Sequence, residues 1–181
     1  MTDTRITFKY ILTAKGVVLI TWLIHELAHW AASELLGYDS IMRLNATGFI
    51  NGKEVTEGHH QIVSAAGPII TILQGIIAFL VLKKHWSKTA YLFLFTAFYM
   101  RFLAGVLNYI QPNDEGRISL YFGIGLYTLS ILVSGFLFFL VYQISKKYQL
   151  TKKFHLITYI IITILTSIVI LTDQFFKFQI L

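Results

Sequence analysis

Two histidines and a glutamate stand together in His25-Glu26-Leu27-Ala28-His29, inside an apolar stretch of sequence rather than a polar one. On a helix, side chains four residues apart lie about 40° apart in projection, one turn above the other. Both imidazoles can therefore reach a single metal ion, which makes the pair half of a zinc site. Glu26 follows the first histidine directly, so its carboxylate falls beside such an ion as a candidate general base for a water molecule. The structural alternative is two packed helix histidines and a stray carboxylate. Against it stands the cost of placing three ionisable groups near the middle of a hydrophobic segment without partners or chemistry.

A zinc site built on two histidines needs a third protein ligand and keeps a fourth position for water. The chain has no cysteine, so a carboxylate is the natural choice for that ligand. Glu34 lies about 140° round the helix from His29, which makes it a poor partner for the same ion. Asp114 and Glu115 are the better candidates, in the polar segment Asn108-Tyr109-Ile110-Gln111-Pro112-Asn113-Asp114-Glu115-Gly116-Arg117. To reach the ion that segment must dip below the membrane surface, which is allowed only where it is buried in protein or lines a wet cavity. Arg101 lies within an apolar run, at a depth similar to the histidine pair, roughly 10–14 Å below one membrane face. An unpaired arginine there costs about 2.5–3.5 kcal/mol on insertion scales, so it needs a carboxylate or a substrate carbonyl to hold, or must snorkel to the surface. His59 and His60 can lie near the metal or simply meet water at the interface.

The elements that must position these groups are membrane helices. Of 181 residues, 56% are hydrophobic and 13% charged, with two prolines and a net charge of +6; mean hydropathy is +0.67. That composition and length predict an all-α membrane protein of about five spans, a single integral membrane domain over 1–181, with no room for a soluble domain of ordinary size. The spans are placed at about 10–36, 61–82, 89–110, 118–142 and 154–172, with Gly37 closing the first. The Lys and Arg residues fall in short blocks between apolar runs, so they read as topology signals in a lipid bilayer and imply no nucleic-acid partner.

Residues 38–60 form the one sizeable polar connection. Ile41–Leu44 and Gly48–Ile50 flank turn signals, and Asn51-Gly52 favours a type I′ hairpin, so a short β-hairpin is expected between the first and second spans. Its open edge could pair with an extended peptide, or it could be a plain surface hairpin. In the second span, Ser64-Ala65-Ala66-Gly67-Pro68 lets a neighbour approach closely, which suits packing against the metal-bearing helix as it suits ordinary helix packing. The last span is apolar and β-branched and reads as scaffold.

His25-Glu26-Leu27-Ala28-His29 on a spanning helix, Ala66-Gly67-Pro68 in the next, and Asn108, Pro112 and Asp114 leading into a later one resemble, in that order, the site-2 protease family of intramembrane zinc metalloproteases. The likeness covers about residues 20–120. It implies that His25, His29 and an aspartate bind Zn2+, that Glu26 activates water, and that Asn108 helps position the scissile backbone; Arg101, from its depth and charge, is a separate candidate for substrate positioning. The implied partner is a transmembrane protein or peptide, cut within or beside its span, and the implied setting is a bacterial or archaeal cell membrane. Family members generally carry Asn-x-x-Pro and then Asp-Gly. Here Asp114 matches by residue type and Glu115 by its place before glycine, so Asp114 is taken as the ligand and Glu115 as its alternative.

Two other functions fit the same residues: a membrane zinc peptidase cutting at the surface, with Glu115 as third ligand, and a non-enzymatic metal-binding or ion-conducting membrane protein. Charge predicts the orientation. Arg5, Lys9, Lys83, Lys84, Lys88 and the four lysines from 146 to 153 oppose Arg43, Lys53, Arg117 and Lys177, which puts the N-terminus in the cytoplasm. The site then opens outward, whereas family members generally open toward the cytosol.

Overall fold

The computed structural model describes residues 3–50 and 55–181. Hydroxyl side chains start the long helices: Thr7, Thr56, Ser87 and Thr151 each accept a hydrogen bond from a backbone N–H of the first turn, at 3.2–3.3 Å. Each satisfies a donor the helix itself leaves open. They begin α1 (Phe8–Leu35), α2 (Glu57–Lys84), α3 (Lys88–Leu107) and α6 (Lys152–Phe176). A short α4 (Asp114–Tyr121) and the long α5 (Thr128–Tyr148) lie between α3 and α6, and strands β1 (Ser40–Met42) and β2 (Thr47–Phe49) between α1 and α2. The chain turns out of α1 at Gly37, as expected.

Five of these helices, α1, α2, α3, α5 and α6, are long and apolar enough to cross a membrane. Ile20, Ile69, Ile77, Phe138, Ile164 and many similar side chains stand on their outer faces, where lipid rather than water is the fitting neighbour. The inner faces pack around α3, which meets α1, α2, α5 and α6. Val18, Leu82, Leu92, Leu94, Leu137 and Ile144 are fully enclosed among them. In α1 the buried positions Val18, Thr21, Trp22, His25, Glu26, His29 and Ser33 follow one helical stripe, so the metal-binding sequence faces the bundle and not the lipid.

The fourth apolar run departs from expectation. The single helix expected over 118–142 is interrupted: α4 ends at Tyr121, and the chain passes through Gly123 (φ +67°) and Gly125 (φ +93°) before α5 begins. Those dihedrals are open to glycine and strained for other residues. After the break α4 lies against α2 and α5, with Asp114 in its first turn.

The hairpin is present, antiparallel with Ser40 opposite Phe49 and Met42 opposite Thr47, and reverses through Arg43–Ala46. Asn51-Gly52 lies outside the described residues. Arg43 N–H donates to Ala46 O (2.8 Å) and Ile50 N–H to Asp39 O (2.9 Å). Antiparallel pairs alternate, so the main-chain groups of Thr47 and Phe49 point away from β1. The outer edge of β1 is occupied. Ser40 N–H donates to Glu34 (2.9 Å), Met42 N–H donates to Leu181 O (3.0 Å), and Ile180 N–H donates to Met42 O (2.8 Å). The last helix is therefore more than scaffold. Its buried Asp173 accepts from Leu44 N–H (3.1 Å) and faces Arg43 at 3.6 Å, which pins the hairpin turn.

Candidate metal centre

Two helices, α1 and α4, bring three side chains to a single point. His25 and His29, a turn apart on α1, place their Nε2 atoms 3.1 Å from each other. Oδ2 of Asp114, from the first turn of α4, lies 3.3 Å from His25 Nε2 and 3.4 Å from His29 Nε2. Neighbouring ligands around a tetrahedral ion with bonds of about 2.0–2.1 Å are separated by about 3.3 Å. These three atoms thus form one face of such a site and constitute a possible metal-binding triad. Asp114, not Glu115, is the carboxylate that reaches the imidazoles.

The second ring nitrogens settle which atoms would face an ion. His29 Nδ1–H donates to Val63 O (2.6 Å). Thr71 Oγ1 donates its own proton to Gly67 O (3.0 Å), so it must accept one from His25 Nδ1–H (3.0 Å). With both Nδ1 atoms protonated, both Nε2 lone pairs are turned to the same place, as metal-ligating histidines require. Gly67 is the cradle. A Cβ there would overlap the rings of His25 and His29, so α2 can approach α1 this closely only with glycine at that position.

The triad lies in the wall of a cavity of about 660 Å³ lined by α1, α2, α3, the α3–α4 turn, the hairpin and the end of α6. Glu26 lines it too, buried beside His25, and Thr47 Oγ1 donates to its Oε2 and to its backbone carbonyl, both at 3.1 Å. The hairpin thereby holds the candidate base in place. Thr47 and Phe49 line the same cavity, and among the described residues no backbone partner meets their outward N–H and C=O groups.

Comparison with protein-family models, curated proteins and solved structures finds no match to this chain.

Arg101 is buried and paired. Its Nη1 donates to Glu115 Oε1 (3.1 Å) and lies 3.5 Å from Asp114 Oδ2, while Nη2 approaches His25 Nε2 at 3.5 Å. The cation expected at the depth of the histidines is indeed beside them, and Glu115 balances it instead of offering a ligand. Asn108 stands apart from the cavity lining. Its Oδ1 accepts from Asn113 N–H (2.7 Å) and its Nδ2 donates to Ser130 Oγ (2.9 Å), tying the end of α3 to the start of α4 and to α5. Its reach to the site runs through the placement of Asp114. His60 lines the cavity, and His59 Nδ1 is bonded to Tyr38 OH (2.7 Å); neither joins the triad.

Nothing in the sequence reading placed Thr71 or Thr47 at the site; Ser64 stood out only for close packing and Arg117 only as a charge. Thr71 and Ser64 share a face with Gly67, at helical spacing, which was the available signal. Nothing local marks Thr47, whose role depends on where the hairpin folds back.

Proposed function

We propose that this chain is an intramembrane zinc metalloprotease of the site-2 protease kind, hydrolysing a peptide bond within or beside a transmembrane segment of a membrane-protein substrate. The observation that carries the reading is a face of two imidazoles and one carboxylate, with separations of 3.1–3.4 Å, buried among apolar helices beside the carboxylate of Glu26. Zinc suits this donor set, which leaves one position for water or substrate. When bound, the ion supplies Lewis acidity that acidifies water and polarises a carbonyl.

The protein's own groups do the rest. Glu26, oriented by Thr47, takes the proton of the attacking water and hands it to the amide nitrogen as the C–N bond breaks. The water oxygen ends in the new carboxylate and the proton on the new amine. The edge of β2, without a backbone partner among the described residues, supports binding of an extended substrate, because an extended backbone can pair with Thr47 and Phe49 while a helical one hides its carbonyls. Arg101, fixed by Glu115 in the cavity wall, presents positive charge where a carbonyl oxygen gathers negative charge.

The test is Glu26→Gln in purified protein, assayed on a membrane-anchored reporter with the cleavage site mapped. The expected result is wild-type metal content with turnover reduced at least about 100-fold, the loss typical of removing a general base. Unchanged cleavage would refute the base, and a cut confined to segments outside the reporter's span would favour a surface peptidase.

A further inference from the structure

Helix α2 contributes no ligand, yet two of the three ligands are hydrogen-bonded to it and the third is linked to it through one further side chain. Thr71 Oγ1 holds His25, and Val63 O holds His29. The third connection runs through Arg117. Its Nη2 donates to Oδ1 of Asp114 (2.7 Å), the oxygen not directed at the imidazoles, and its Nε donates to Ser64 Oγ on α2 (3.2 Å). Val63, Ser64, Gly67 and Thr71 lie along one side of the helix, at the spacing that keeps side chains in line.

We infer that Arg117 is a positioning residue for the third metal ligand, and that Ser64 makes α2 the frame against which all three ligands are set. The physical need for it comes from Arg101, whose Nη1 lies 3.5 Å from Oδ2, the same oxygen that the ion must receive. Left to that pull, the carboxylate would rotate into an ion pair with Arg101 and Glu115's partner would compete with the metal. Arg117 grips the other oxygen and fixes the carboxylate plane, so that Oδ2 stays turned toward His25 and His29. Its guanidinium can do so because its two donors are a rigid fork, one for the carboxylate and one for the serine. A lysine cannot serve both.

The inference rests on the metal-site reading of His25, His29 and Asp114 and not on proteolysis. It is tested with the full chain in detergent, measuring Zn2+ and Co2+ affinity by competition with a chromophoric chelator and recording the visible spectrum of the Co2+ form. Arg117→Met is expected to weaken binding roughly 10- to 100-fold, the usual effect of removing an outer partner of a ligand, and to alter the Co2+ bands. Arg117→Lys should recover part of the loss. Ser64→Ala, which leaves every charge in place, should weaken binding in the same direction and gives the answer should the methionine variant not fold. Wild-type affinity and spectrum in both Arg117→Met and Ser64→Ala would overturn the inference alone, provided His29→Ala has lost binding. Equal binding by wild type and His29→Ala would remove the metal-site reading and this inference with it.

Discussion

At the scale of single residues, the site is a problem of charge under lipid. Arg101 and Glu115 are each only 3% exposed in their side chains, and their 3.1 Å contact is what makes either tolerable. Removing one partner strands the other. Arg101→Met should therefore destabilise the protein by about 3–5 kcal/mol, whereas the double variant Arg101→Met with Glu115→Gln should recover most of that loss. Unfolding in detergent, followed by circular dichroism across the four proteins of the cycle, measures the coupling. If the double variant is no more stable than Arg101→Met, the pair is not what holds the arginine. The motif His25-Glu26-Leu27-Ala28-His29 and the need of Arg101 for a partner were both legible in the chain. The resemblance favoured Asp114 over Glu115 as the ligand, whereas spacing alone left both open, because adjacent carboxylates differ only in the direction α4 gives them.

At the scale of elements, the decisive contact is the approach of α2 to α1. Gly67 meets the two imidazoles with nothing to spare, and Thr71 and the Val63 carbonyl on the same face orient them. Gly67→Ala should push α2 off the rings and cost at least about tenfold in metal affinity, in line with the loss of an outer hydrogen bond to a ligand. Equilibrium dialysis against Zn2+ measures it, and an unchanged affinity would show that the rings have room to move. Small residues in the second span announced close packing, but not against which partner. The interruption between α4 and α5 was hidden for a different reason. Apolar residues continue through it, so hydropathy sees one run, and only the positive φ angles of Gly123 and Gly125 separate the short helix that carries Asp114 from the span that follows.

For the whole molecule, the cavity opens at the end of the bundle that holds the hairpin, the α3–α4 turn and the end of α6. The positively charged blocks concentrate at the other end, and the charge rule predicts that end to be the cytoplasmic one. The chain's lack of cysteine makes this simple to check. With single substitutions Lys84→Cys and Gln111→Cys, a membrane-impermeant maleimide applied to intact cells should label the second and spare the first. The reverse pattern would place the site's mouth toward the cytosol and set aside the charge rule for this chain.

Amino-acid order by itself determined the membrane helices, the hairpin between the first two, and the pair of imidazoles with its adjacent carboxylate. These follow from local periodicity and from spacing within one helix, where geometry is set by the backbone alone. Tertiary structure decided the rest: that Asp114 completes the triad, that Glu115 balances Arg101, that Asn108 braces a turn, and that Thr47, Thr71, Ser64 and Arg117 orient the groups around the site. The reason is physical. A ligand set closes only when atoms far apart in the chain meet within a few ångströms, and that depends on how α1, α2 and α4 pack rather than on what any one of them is.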